Sequence, residues 1–240
     1  MSPVTGSFDA ARSDAWLNCE LDHLVLAASR LDEGVAWCER VLGVAPGPGG
    51  KHPLMGTHNR VFAIGSAAFP RAYFEIIAVD PEAPPPGRRR WFDLDDAALQ
   101  AKLTLGPQLV HWVARTATLE VALAALARQG IDGGRALPAS RATPQGELRW
   151  RIAVPGDGVR WFEGALPMLI EWGAVHPADS LPASGVILTA VRLGAREPAA
   201  LQRALQALRL PPALAAPGAG GPALCATLAT PRGVVTLSSC

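Results

Sequence analysis

Two histidines and two glutamates stand at matched places in this chain. His23 lies third in Leu21-Asp22-His23-Leu24-Val25-Leu26-Ala27, and His111 lies third in Leu109-Val110-His111-Trp112-Val113-Ala114-Arg115. Glu75 follows His23 by 52 residues in Tyr73-Phe74-Glu75-Ile76-Ile77, and Glu171 follows His111 by 60 in Leu169-Ile170-Glu171-Trp172. An ionisable group inside an apolar run is expensive to bury unless a partner satisfies it. Taken singly, these residues also read as core histidines and as the polar face of alternating strands. Taken together, two neutral imidazoles and two carboxylates suit a divalent first-row metal in a six-coordinate site, with positions left for water or substrate.

The elements that must position these groups repeat as well. Strand 21–27 leads to an amphipathic helix at 31–42, with Ser29 or Asp32 as its cap and Gly43 at its left-handed exit. Strands at 60–65 and 72–79 follow, and a short strand between 51 and 57 would complete a βαβββ unit over 20–80. Residues 81–107 form a Pro/Arg-rich linker, with Pro84-Pro85-Pro86, Arg88-Arg89-Arg90 and a short helix at 95–103 capped by Asp93 or Asp95. A second unit over 108–178 has strand 109–115, a helix at 119–129 capped by Thr116 or Thr118, and strands at 135–142, 147–154 and 166–172. Pro144-Gln145-Gly146 and Pro155-Gly156-Asp157-Gly158 are its turn signals. A third, degenerate βαββ-type unit over 184–240 has strand 188–193, helix 197–208 with Pro198 in its first turn, and a hairpin of 223–230 and 233–238. It has Ala190 where the others have histidine and no acid in its last strand, so it reads as structural or interfacial. Residues 1–19 read as a flexible lead-in.

Composition narrows the class. Of 240 residues, 49% are hydrophobic and 18% charged, which suits a folded chain and argues against disorder. A net charge of +1 offers nucleic acid no basic footprint. No apolar run reaches the roughly 18–20 residues that span a bilayer, and the charged start lacks a signal-peptide core. Cys19, Cys38, Cys225 and Cys240 have no C-x-x-C spacing and read as reduced thiols. These features together lead to the expectation of a cytoplasmic protein.

The run Leu-Asp-His-Leu-Val-Leu, the stretch Gly49-Gly50-Lys51-His52-Pro53-Leu54-Met55-Gly56-Thr57-His58-Asn59, and Tyr-Phe-Glu-Ile-Ile resemble the glyoxalase-like branch of the vicinal oxygen chelate superfamily over about residues 20–178. The resemblance implies an α+β fold in which paired βαβββ units curl into a half-open barrel. It implies metal ligands at His23, Glu75, His111 and Glu171 for a divalent ion (Ni, Zn, Mn, Co or Fe). It further implies a lyase or isomerase acting on a small oxygen-chelating substrate, with Glu171 or Glu75 abstracting a proton next to a carbonyl.

His58 and Asn59 are candidates for binding substrate, and His58 is also a candidate third ligand of the first unit. His52 ranks below His58 because it lies in a Pro/Gly loop. Arg115, Arg141 and Arg149 are placed to hold an anionic substrate, and Trp112, Trp150, Trp161 and Trp172 to wall a pocket. His176 reads as a surface loop residue. Two alternatives stay open. One is an extradiol-type dioxygenase with Fe(II) on His23, His111 and Glu171, and the other is a metal-free small-molecule binding protein. The third unit would cover the open side of the barrel or build a homodimer interface.

Overall fold

The computed structural model describes residues 17–143, 146–156, 158, 160–212, 214 and 218–239. The expected lead-in up to residue 16, and Pro144, Gln145 and Asp157 of the expected turns, lie outside the described residues.

The apolar run around His23 forms β1 (Cys19–Ala27), buried along almost its whole length. Such a strand needs neighbours on both sides and packing on both faces. It has them: β4 (Tyr73–Val79) lies parallel on one side and β5 (Gln108–Thr116) antiparallel on the other. The remaining strands are β2 (Lys51–His52), β3 (Thr57–Ala63), β6 (Arg135–Thr143), β7 (Gly146–Val154) and β8 (Met168–Trp172). They complete one eight-stranded sheet in the order β2-β3-β4-β1-β5-β8-β7-β6, two mirrored halves joined at β1 and β5. The sheet curls into a nearly closed barrel, so the expected α+β fold of paired βαβββ units is the fold observed.

Helices α1 (Leu31–Val41) and α3 (Leu119–Ala127) follow β1 and β5, and α2 (Ala97–Leu103) lies in the linker. Gly43 ends the first helix at φ +72°, as its type suits. The caps differ from expectation. Asp96, not Asp93 or Asp95, accepts the Leu99 N–H at 2.9 Å and starts α2. Thr118 sits at the N-cap of α3 without a side-chain hydrogen bond to it. The carboxylate of Glu171 takes the Leu119 N–H instead, at 2.9 Å.

Strand β9 (Ile187–Ala195), α4 (Pro198–Ala207), β10 (Gly218–Ala219), β11 (Leu224–Thr230) and β12 (Gly233–Ser238) make a separate four-stranded sheet and its helix. Leu188, Leu201, Leu205 and Leu224 of this part join Leu24, Phe74 and Trp112 in one core outside the barrel. Each such fully buried side chain contributes about 1.5–3 kcal/mol. A second core fills part of the barrel interior, around Val25, Ile77, Phe92, Val113, Ile152 and Ile170.

Candidate functional site

Strand alternation decides which side chains enter the barrel. On β3, Asn59 and Val61 face inward and line a cavity, whereas His58 and Arg60 border a groove on the outer face beside α1. His52, opposite Thr57 in the β2–β3 ladder, lines the cavity. The order expected for these two histidines is therefore reversed. The cavity also receives His23, Glu75, Tyr73, Arg141, Trp150 and Trp172.

At its centre lies a buried chain of polar groups. The β1–β5 ladder slips between Leu21 and His23, leaving Asp22 as the extra residue of a bulge. The fully buried Asp22 carboxylate accepts hydrogen bonds from His23 Nδ1 (2.6 Å), His176 Nε2 (2.8 Å) and Trp172 Nε1 (3.0 Å). His176 Nδ1 accepts the Ala178 N–H at 3.1 Å, so its Nε2 carries the hydrogen. Beyond His23, Nε2 faces Glu75 Oε2 at 3.5 Å, longer than an ordinary hydrogen bond. Asn59 Nδ2 donates to the other Glu75 oxygen at 2.6 Å, and Arg141 donates to Asn59 Oδ1 at 3.2 Å. Tyr73 stacks on the His23 ring, with centroids 4.5 Å apart.

This arrangement sets the charges. Burial alone would push His23 down, but the hydrogen bond to Asp22, the close approach of Glu75 and the negative charges of both outweigh it and raise His23 to about 9. Burial would likewise raise Asp22 and Glu75. The donors from His176 and His23 hold Asp22 well below the usual carboxylate range, and His23 and Asn59 hold Glu75 down. The centre at neutral pH is an imidazolium between two carboxylates. Because His23 is raised from 6.5 when folded, its contribution to stability is complete below about pH 6.5 and is lost as pH rises through about 9. Thermal melts between pH 7 and 10 are therefore expected to show a falling Tm, with a shallower fall in His23→Gln. Equal slopes in the two proteins would contradict this assignment.

The other expected ligands lie elsewhere. His111 is buried, but its Nε2 accepts the Met168 N–H at 3.2 Å, which commits that lone pair. Burial, then the nearby Arg160 and His23 cations, lower it to about 3 and keep it neutral. The Trp91–Phe92 pair borders both the cavity and the pocket that holds His111, and the Phe92 ring lies 5.4 Å from the imidazole. Phe92 and Asp93 both have left-handed backbone (φ +58° and +56°), a conformation that non-glycine residues adopt at a penalty, and Arg160 pairs with Asp93. The same Arg-Trp-Phe-acid order recurs at 160–163, where Phe162 and Glu163 are also left-handed.

Glu171, expected as ligand and base, faces outward from the barrel. Ile170 and Trp172 take the inward positions of β8, while Glu171 binds Arg151 (2.9 and 3.0 Å) and starts α3. Glu171→Gln is thus expected to leave cavity chemistry within about twofold while lowering stability by about 0.5–2 kcal/mol through the weakened cap. A combined activity and urea-denaturation assay checks both halves. Arg149 is likewise outward, 74% exposed and paired with Glu147. Arg115 binds Glu20 and the carbonyls of Leu21 and Pro70.

Among the described residues, no group of three or more His, Cys, Asp or Glu side chains is gathered as a metal site requires. His23, Glu75, His111 and Glu171 are not brought together, so this donor set does not fit the four-ligand ion that the resemblance implied. What sequence reasoning missed is Asp22 and His176. His176 is buried, not a surface residue, because it caps the 3₁₀ turn Pro177–Asp179 and reaches Asp22.

A barrel of mirrored βαβββ halves with an acid–imidazole pair facing its interior is the architecture of a glyoxalase-like domain. The chain belongs to the glyoxalase-like domain family, whose model matches residues 21–209. No curated protein matches it. A hypothetical protein from Staphylococcus aureus is similar in structure at a TM-score of 0.54 and 13% identity, covering 92% of this chain and 86% of that one. That likeness shows the fold. Methylmalonyl-CoA epimerase from Streptomyces coelicolor, solved with 2-nitronate-propionyl-CoA, matches at TM-score 0.41 and 20% identity, over 67% of this chain and 98% of that one. The Mycobacterium tuberculosis epimerase matches at TM-score 0.36 and 19% identity, over 64% and 86%.

Proposed function

We propose that the chain is an enzyme that moves a proton next to a carbonyl group of a small organic substrate, an isomerase or lyase of glyoxalase-like type. The observation that carries this reading is the facing pair His23 Nε2 and Glu75 Oε2, held 3.5 Å apart at the cavity wall. Each is fixed from behind, His23 by Asp22 and Glu75 by Asn59, so both are preorganised before substrate enters.

Glu75 takes a proton from the carbon beside the carbonyl, and the His23 Nε2–H donates its proton to the carbonyl oxygen. The products are an enol, a protonated Glu75 and a neutral imidazole. Returning the two protons by the reverse route, or to the other face of the carbon, regenerates the ion pair and requires no co-reactant. Acid–base assistance of this kind contributes about 10²- to 10⁴-fold.

The step draws on the chain's own side chains, and a divalent ion is not required for it. The test is deuterium wash-in next to the carbonyl of small ketones and oxo acids in D2O, followed by NMR, before and after chelator treatment. Faster exchange that survives the chelator supports the proposal. Loss of exchange with the metal, restored on adding an ion back, would return the site to metal chemistry. Ligand binding without exchange for any compound would make the chain a small-molecule binding protein.

A further inference from the structure

The mouth of the barrel carries a cation with an unusual setting. Arg141 projects from β6, one edge of the sheet, and reaches Asn59 on β3 near the other edge. Its guanidinium lies over Gly50, where a Cβ would come within 2.4 Å of its NH1 nitrogen. Gly49 is constrained in the same way, since a Cβ there would meet the Asn59 carbonyl at 1.9 Å. The two glycines clear space for the asparagine and the arginine together. Among the described residues, Arg141 donates to Asn59 Oδ1, which also accepts the Gly50 N–H, and it forms no ion pair with a carboxylate. An arginine fork matches a carboxylate with two parallel hydrogen bonds.

Spacing then limits the ligand. One asparagine side chain separates Arg141 from Glu75, because Asn59 donates to Glu75 and accepts from Arg141. An anion on Arg141 is therefore within one short molecule of the His23–Glu75 pair. The stretch of wall formed by Trp150 and Ile152 on β7 and by Ile170 and Trp172 on β8 is apolar and offers no second lysine or arginine to a longer polar ligand.

We infer that the site selects short-chain 2-oxo acids, with Arg141 holding the carboxylate, the His23 Nε2–H facing the adjacent keto oxygen, and the alkyl tail against the tryptophan wall. This rests on the proton-transfer reading for the keto group and extends it to the substrate class. The carbon that loses its proton to Glu75 is then the one beyond the keto group, and the product is the enol of the same acid.

The test is equilibrium binding by calorimetry, cross-checked by tryptophan fluorescence, with 2-oxobutanoate, butanoate and 2-butanone as probes. In the intact chain, 2-oxobutanoate is expected to bind at least about 10-fold more tightly than either single-group analogue. Arg141→Met is expected to weaken 2-oxobutanoate by about 10- to 100-fold and leave 2-butanone within about twofold. Arg149→Met, outside the cavity, should change neither. Gly50→Ala supplies a second variant that disturbs Arg141 without removing it and should also weaken the acid selectively. Equal affinity for 2-oxobutanoate and 2-butanone, no loss in Arg141→Met, or no binding of any probe would overturn the inference. Selective binding of 2-oxobutanoate without deuterium exchange would overturn the proton-transfer reading while leaving the carboxylate anchor in place. Exchange on neutral ketones with no preference for the acid would do the reverse.

Discussion

Glu75→Gln is expected to reduce deuterium exchange by about 10²- to 10⁴-fold while leaving the fold intact. The amide keeps the shape of the carboxylate, and its oxygen can still accept the Asn59 Nδ2–H that now reaches Glu75 at 2.6 Å. It has no basicity to take a proton from carbon. The same change removes one of the two carboxylates that hold His23 at about 9, so the His23 titration should move toward its ordinary value. NMR titration of the His23 ring gives this readout independently of turnover. A Glu75→Gln protein that exchanges at the native rate, or whose His23 titration is unmoved, would remove Glu75 from the chemistry.

The largest stability effect is expected at Asp22. Its carboxylate is completely buried and receives N–H groups from three side chains, His23, His176 and Trp172. Asp22→Asn retains one acceptor oxygen and turns an NH2 group toward donors, leaving at least one buried N–H unpaired and the His23 cation without its main counter-ion. Removing one partner of such a buried pair costs about 3–5 kcal/mol. Urea denaturation should show that loss. His176→Ala should cost less alone, and a double-mutant cycle should give a coupling of about 0.5–3 kcal/mol between positions 22 and 176. Additive effects of the two changes would mean that His176 packs beside Asp22 without supporting it.

The paired units were legible because buried strands and amphipathic helices leave opposite periodicities. The runs around His23 and His111 could not be solvated strands, and Gly43 marked a helix end that the chain obeys. The third unit was visible for the same reason. The site was legible only in part. His23, Glu75, Asn59 and Arg141 meet at the cavity, but Glu171 and Arg149 turn away. In β8 each face carries large apolar side chains, Leu169 on one and Ile170 and Trp172 on the other, so composition does not say whether Ile170 or Glu171 points inward. A single step of register exchanges the two sets. The bulge at Asp22 has no sequence mark of its own. A better signal was available there, since a carboxylate beside a histidine inside a buried run demands donors. His176 was also readable in retrospect, because a residue before Pro177 with Asp179 three positions on has the pattern of a capped turn. The committed lone pair of His111 depends on a contact with Met168, 57 residues away, and no local pattern reports it.

The Asp22 cluster has a consequence for the order in which the chain matures. Two of its three donors come from residues 150 and 154 positions further along the chain. Bringing such distant segments together is slow, and domains emerge from the ribosome N-terminal end first. A nascent chain shorter than about 170 residues therefore carries β1 with an aspartate that lacks the Trp172 and His176 donors. Burying that aspartate is unfavourable until Trp172 and His176 arrive. The His23–Glu75 pair is therefore expected to gain the full support of Asp22 only once residues 172 to 176 have been made.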